Sequence, residues 1–252
     1  MELSASPKTI LMVTIPLLVI LGVVVLVKAL WPETNCHGTP PQQVDIVFDK
    51  TKPYSPTQAH SIDRTLVEIL TAAADNAEIN MYYITSNPER PDLVLNVCKP
   101  PTRGNALFTD PAVQQHQFRL TVVKQAKHFV SVHYQRVGPA PIVESLATIA
   151  RQRIITSKLE QHVNVEFDIY SDMVQDSQGK SLSRDPGSCS PGNAATAQFR
   201  DTYGDVTQFF RDIPVHVFGI HRDAGQSPPY PGERCVRAFW ESTFPHLTWM
   251  TV

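Results

Sequence analysis

The chain has 252 residues, with 22 Lys+Arg set against 24 Asp+Glu. This near-neutral balance excludes a general nucleic-acid binder, which would carry a basic excess or patch. Four cysteines, none in a CxxC pair, exclude a disulfide-dense scaffold and a structural zinc module.

Residues 1–8 form a short polar amino terminus. From Thr9 to Val27 no residue carries a charge, a run long enough to span a bilayer core as a helix. We assign a transmembrane helix to residues 9–30, with Trp31 in the interfacial belt. The run is longer than a secretory h-region, and no small-x-small cleavage site follows around Lys28-Ala29-Leu30. The sequence therefore predicts an uncleaved single-pass membrane anchor. Lys8 and the amino terminus precede the span and Lys28 follows it. That slight excess places the bulk of the chain outside the cytoplasm, which for a bacterial protein is the periplasm. There disulfides are permitted, and Cys36, Cys98, Cys189 and Cys235 allow three pairings. The alternative for Cys98, at the end of an apolar run, is a buried small residue. Residues 31–43 are polar and Pro-rich and read as a linker.

The globular part, residues 44–252, opens with Val44, Ile46, Val47 and Phe48 and ends its first strand at Asp49. A polar turn follows, then Ser55-Pro56, an N-cap with proline at the first helical position. Ile62, Leu66, Ile69, Leu70 and Ala73 mark one face of a helix from Pro56 to Ala74. Ile79–Thr85 and Asp92–Cys98 read as an antiparallel hairpin at a sheet edge, joined by a turn-rich segment. Lys99 to Thr109 is a loop. Asp110-Pro111 starts a helix running into Val132, whose last residues, Phe129 to Val132, also fit a strand.

After the Gly138-Pro139-Ala140-Pro141 turn comes a helix carrying Ile142, Leu146, Ile149 and Ala150. Val163–Tyr170 is a second central strand, ending in Ser171-Asp172. A long loop, 175–197, precedes a helix marked by Phe199, Tyr203, Val206 and Phe210. Val215–Ile220 is a third buried strand, and a closing helix spans Glu233 to Thr243. This alternation predicts an α/β, Rossmann-like domain: a mainly parallel central sheet with helices on both faces.

Three polar turns are expected at the carboxyl edge of that sheet, where open α/β sheets bind ligands. They are Asp49-x-Thr51, Gly138 to Pro141, and Ser171-Asp172. Two carboxylates and a hydroxyl gathered there suit Mg²⁺, a hard cation that keeps several waters. The order strand-Asp-x-Thr, Gly-x-x-Pro-Ile-x-Glu-Ser-Leu, strand-Ser-Asp resembles a von Willebrand factor A (vWA)-type domain. The resemblance implies a metal-ion-dependent adhesion site with Asp49, Thr51 and Asp172 in the metal roles. It also implies a membrane-associated protein partner whose carboxylate completes the coordination. The site departs from the family's pattern at Pro53, where a second hydroxyl is expected, and at Ala140, where a Thr is expected. The competing reading of Asp49 and Asp172 is that they accept backbone N–H groups and hold the loops.

Asp49-Lys50-Thr51 is also similar to the opening of haloacid-dehalogenase-like phosphotransferases. That resemblance implies a nucleophilic Asp49, with Ser171 on phosphate, Lys158 neutralising charge and Mg²⁺ on late acids drawn from Asp201, Asp205 and Asp212. The Gly-Thr that should follow is replaced by Lys52-Pro53. The nine histidines form no HExxH-type pair and read as ordinary side chains, His216 and His221 flanking a strand among them. Phe239, Trp240 and Phe244 read as helix-to-sheet packing. Arg119, Lys124, Lys127 and His128 read as a solvated helix face.

Overall fold

The computed structural model describes residues 36, 39–51, 54–89, 91–103, 110–131, 139–159, 164–177, 182, 201, 210, 212–219, 232–241, 244 and 246–250. The predicted anchor, most of the 175–197 loop and most of the helix around Tyr203 lie outside these residues. Among the described residues no helix is long and apolar enough to cross a membrane.

The first strand, β1 (Gln42–Asp49), is buried along almost its whole length, as a central strand must be. It leads into α1 (Pro56–Ala72), which begins as the sequence predicts. Ser55 accepts the Gln58 N–H, and the Gln58 side chain accepts the Ser55 N–H in return, closing a capping box. β2 (Glu78–Ile84) and β3 (Asp92–Cys98) form the expected antiparallel edge hairpin. The helix α2 (Pro111–Ser131) takes in Phe129 and Val130, so the strand alternative for that stretch falls. The helix α3 (Ile142–Leu159), β4 (Asn164–Ser171), β5 (Val215–Gly219) and α4 (Glu233–Glu241) follow. A last short strand, β6 (Leu247–Met250), was not foreseen, because four residues, LTWM, are too few to display an alternation.

The six strands lie in the order β3-β2-β1-β4-β5-β6. All neighbouring pairs are parallel except β2 and β3. β1 is therefore the point at which the chain turns from one half of the sheet to the other. Helices cover both faces. Ile62, Leu66 and Leu70 of α1 pack with Phe118, Val122 and Ala126 of α2 against Val44, Ile46 and Phe48 on one face. Leu146 and Ile149 of α3 pack with Phe239 and Trp240 of α4 against Val47, Phe167 and Ile169 on the other. The aromatic stripe Phe239, Trp240 and Phe244 is thus core, as expected from its spacing. Across the first face Phe48, Tyr170 and Phe218 stack in strand register, with ring centroids 5.1 and 4.7 Å apart.

Cys36 and Cys98 form a disulfide with their Cα atoms 5.3 Å apart. Cys98 is therefore not a free buried thiol. Cys235 is disulfide-bonded as well. Beside the first bridge, the Lys99 ammonium donates to the Thr71 and Ala73 carbonyls and closes the carboxyl end of α1.

Candidate functional site

The turn after β1 is held by one carboxylate. Asp49 Oδ1 accepts the Thr51 N–H at 3.0 Å and the Thr51 hydroxyl at 2.7 Å. Its Oδ2 accepts the Ser171 hydroxyl, at the end of β4, at 2.8 Å. Ser171 Oγ in turn accepts the Met173 N–H at 2.8 Å, in a bend where Met173 has a φ of 55°. Asp49, Thr51 and Ser171 are all buried. Positions 122 residues apart in sequence meet here because β1 and β4 are neighbours with the same direction.

The third turn joins the same rim. The Asp176 N–H donates to the Ala140 carbonyl at 2.9 Å. Gln175 accepts the Val143 N–H at 3.0 Å and donates to Glu144 at 2.8 Å, bridging the first turn of α3 to the loop after β4. Trp240 of α4 donates to the Met173 carbonyl from below, at 2.6 Å. The three predicted turns do gather at one edge.

The predicted residues are not equivalent within it. Asp49 and Thr51 share a hydrogen bond. Asp172, half-buried, directs Oδ1 to the Val174 N–H at 3.0 Å, within its own loop. Ala140 is fully buried and presents only a methyl group. The loop-holding reading of both acids is therefore visible in the hydrogen bonds. Yet the donors at this edge are all hard oxygens, which is what Mg²⁺ takes. The Thr51 and Ser171 hydroxyls each retain a lone pair while donating to Asp49. Lys50 is 4% exposed, and its ammonium lies 5.5 Å from the Tyr83 ring centre and 5.6 Å from that of Tyr54. Burial pushes its pKa down to about 8.

The phosphotransferase reading finds little support here. Asp212 is exposed just before β5, at the amino edge of the sheet and remote from Asp49. Asp201 is exposed on a short described helical position; Asp205 and the side chain of Lys158 lie outside the described residues.

A second polar cluster was missed by sequence reasoning. Glu166 and Asp168 sit two apart on β4 and so share a face, and His216 of β5 is the register partner of Asp168. His216 Nδ1 is 2.9 Å from Glu166 Oε1 and 3.1 Å from Asp168 Oδ1. The hydrogen bond to Asp168, then that to Glu166, raises the imidazole pKa to about 10. Burial pushes the Asp168 carboxyl up, whereas the His216 hydrogen bond draws Glu166 down. A Glu-x-Asp in a strand was the available signal. Its partner is supplied from a strand far along the chain, which no local motif announces.

No protein-family model matches the chain, and no curated protein matches its sequence. Among solved structures it is similar to an aerotolerance-related membrane protein from Bacteroides fragilis, at 10% identity over 84% of this chain and 91% of that one, TM-score 0.44. It is also similar to a von Willebrand factor type A structure from Catenulispora acidiphila, at 13% identity over 84% of this chain and 39% of that one, TM-score 0.45. A third is the manganese-loaded TRAP protein of Plasmodium vivax, at 9% identity over 85% of this chain and 70% of that one, TM-score 0.45. At these low scores the fold rests on the strand order and register given above.

Proposed function

We propose that the chain is a membrane-anchored, protein-binding module of vWA type rather than an enzyme. Its contact surface is the rim formed by the loops at the carboxyl ends of the parallel strands. The observation that carries this reading is the Asp49–Ser171 hydrogen bond between the ends of β1 and β4. It falls where the strand order reverses, the position at which open α/β sheets leave a crevice for a ligand. A partner carboxylate would dock there, with Mg²⁺ held by Asp49, Thr51 and Asp172. Residues 9–30 would serve as the anchor, with residues 31–43 leading into residues 44–252. The Cys36–Cys98 disulfide supports an extracytoplasmic setting, because such bonds persist in oxidising compartments.

Two measurements test this. Site-specific photo-crosslinking on intact membranes compares Asn87, exposed in the β2–β3 turn at the rim, with Asp212, exposed at the opposite edge. A protein adduct is expected from position 87 and none from position 212; the reverse pattern overturns the reading. Titration of Mg²⁺ or Mn²⁺ into the full chain and into Asp49→Ala checks the cation. Unchanged affinity removes the metal from this reading and leaves the rim as a loop-shaped contact surface.

A further inference from the structure

We propose that Glu166, Asp168 and His216 form a binding site for a divalent transition-metal ion of the zinc class, separate from the rim. One ligand atom from each residue lies within 4.8 Å of the others. The two His216-to-carboxylate distances, 2.9 and 3.1 Å, are already close to a ligand–ligand edge. Four ligands at zinc-to-nitrogen and zinc-to-oxygen bond lengths stand about 3.3 Å apart. A cation entering between them opens the two His216 edges by only a few tenths of an ångström, while the edge between the carboxylates starts within 4.8 Å.

Acidic neighbours alone would not make a site, and the independent observation is Asp168. Its side chain is 1% exposed, and Oδ2 is a buried oxygen without a hydrogen-bond partner among the described residues. Buried carboxylate oxygens are normally satisfied, and one that is not calls for a ligand. Its sister atom Oδ1 already faces His216, so the orphan belongs to the same group that lines the cluster. Gln42 donates to Glu166 Oε2 at 3.1 Å and leaves Oε1 turned toward His216. That is the orienting outer contact found behind metal-binding carboxylates.

The donor set chooses the ion. An imidazole with two carboxylates suits zinc and its first-row neighbours, whereas Mg²⁺ and Ca²⁺ seek six or more oxygens. Three protein ligands leave the fourth tetrahedral position to water. Glu166 and His216 side chains are each 28% exposed, which gives an ion a way in. Zinc takes the place of the proton His216 Nδ1 shares with the carboxylates, and that proton leaves to solvent; two carboxylates and the resulting neutral imidazole then balance the dication.

The test uses the full chain in detergent, stripped with EDTA and titrated calorimetrically with Zn²⁺ near neutral pH. One zinc per chain is expected in the wild type. His216→Gln should weaken it at least 100-fold and Glu166→Gln at least tenfold, since even the loss of an outer contact behind a ligand costs about 10–100-fold. Asp49→Ala should bind zinc as the wild type does, so failure here and failure of the rim reading are told apart. Co²⁺ in place of zinc should give intense visible d–d absorption that His216→Gln abolishes. Far-UV circular dichroism checks each variant, and Glu166→Gln stands in for His216→Gln if the latter does not fold. No zinc uptake by the wild type, or uptake that survives both substitutions, overturns the site.

Discussion

Two buried carboxylates sit on neighbouring strands of one sheet, yet they live in opposite circumstances. Asp49, at the carboxyl rim, receives three hydrogen bonds from Thr51 and Ser171. Asp168, nearer the amino edge, receives one from His216 and keeps an oxygen with none among the described residues. Burial depth alone therefore says little about a buried acid. What counts is whether the fold brings donors to both oxygens, since a satisfied carboxylate is a structural brace and an unsatisfied one is a standing demand for a cation or proton.

The largest expected effect falls on neither acid. Replacing Cys36 and Cys98 by Ser opens a loop with a sequence separation of 62. A loop of this length is worth about 4 kcal/mol in the chain-entropy account. The bridge sits at the amino edge, where Cys98 pairs with Glu78. Denaturant unfolding should show that loss, while the crosslinking pattern at the rim stays as in the wild type. Next comes Asp49→Ala, which strips the acceptor from one N–H and two hydroxyls in a buried turn. A loss of about 3 kcal/mol is expected by the same measurement. Ser171→Ala should follow at about 2 kcal/mol, because it removes one donor to Asp49 and orphans the Met173 N–H. If Asp49→Ala and Ser171→Ala proved additive in the double variant, the brace would not be a coupled unit and the contrast with Asp168 would weaken.

The rim was legible in the sequence because each of its parts is announced locally. Asp49 ends an apolar run, Ser55-Pro56 starts a helix, and Ser171 ends a second apolar run. Parallel connections then place the ends of the parallel strands on one edge. The side chains' actual partners were not legible. Asp49 accepts from Ser171 across two strands, while Asp172 accepts the Val174 N–H within its own loop. The polar interior was equally hidden. Asp45, read within an apolar strand, is fully buried and satisfied by Gln43 and Asn80, with Asn96 continuing the ladder. Strand neighbours decide such contacts, and neighbours in a sheet are remote in sequence. The same reason hid the choice among three disulfide pairings, and it let His216 pass as an ordinary histidine.

The sharpest break of the comparison is also the smallest effect. Asp49→Asn and Asp168→Asn are the same chemical change, one oxygen replaced by an amide nitrogen. At the rim the amide nitrogen sets donor against donor on one side, either the Thr51 N–H and hydroxyl or the Ser171 hydroxyl, so stability should fall. At the second cluster two carboxylates share one imidazole. Removing one charge leaves His216 paired with Glu166 and relieves the desolvation of a fully buried anion. In the metal-free chain Asp168→Asn should therefore change stability by less than about 1 kcal/mol, measured by urea unfolding in EDTA. A loss as large as that of Asp49→Asn would mean that Asp168 is a brace like its neighbour, already satisfied by His216 alone. A near-neutral result, joined to weakened zinc binding in the same variant, would mark Asp168 as a residue kept for its ligand and not for the fold.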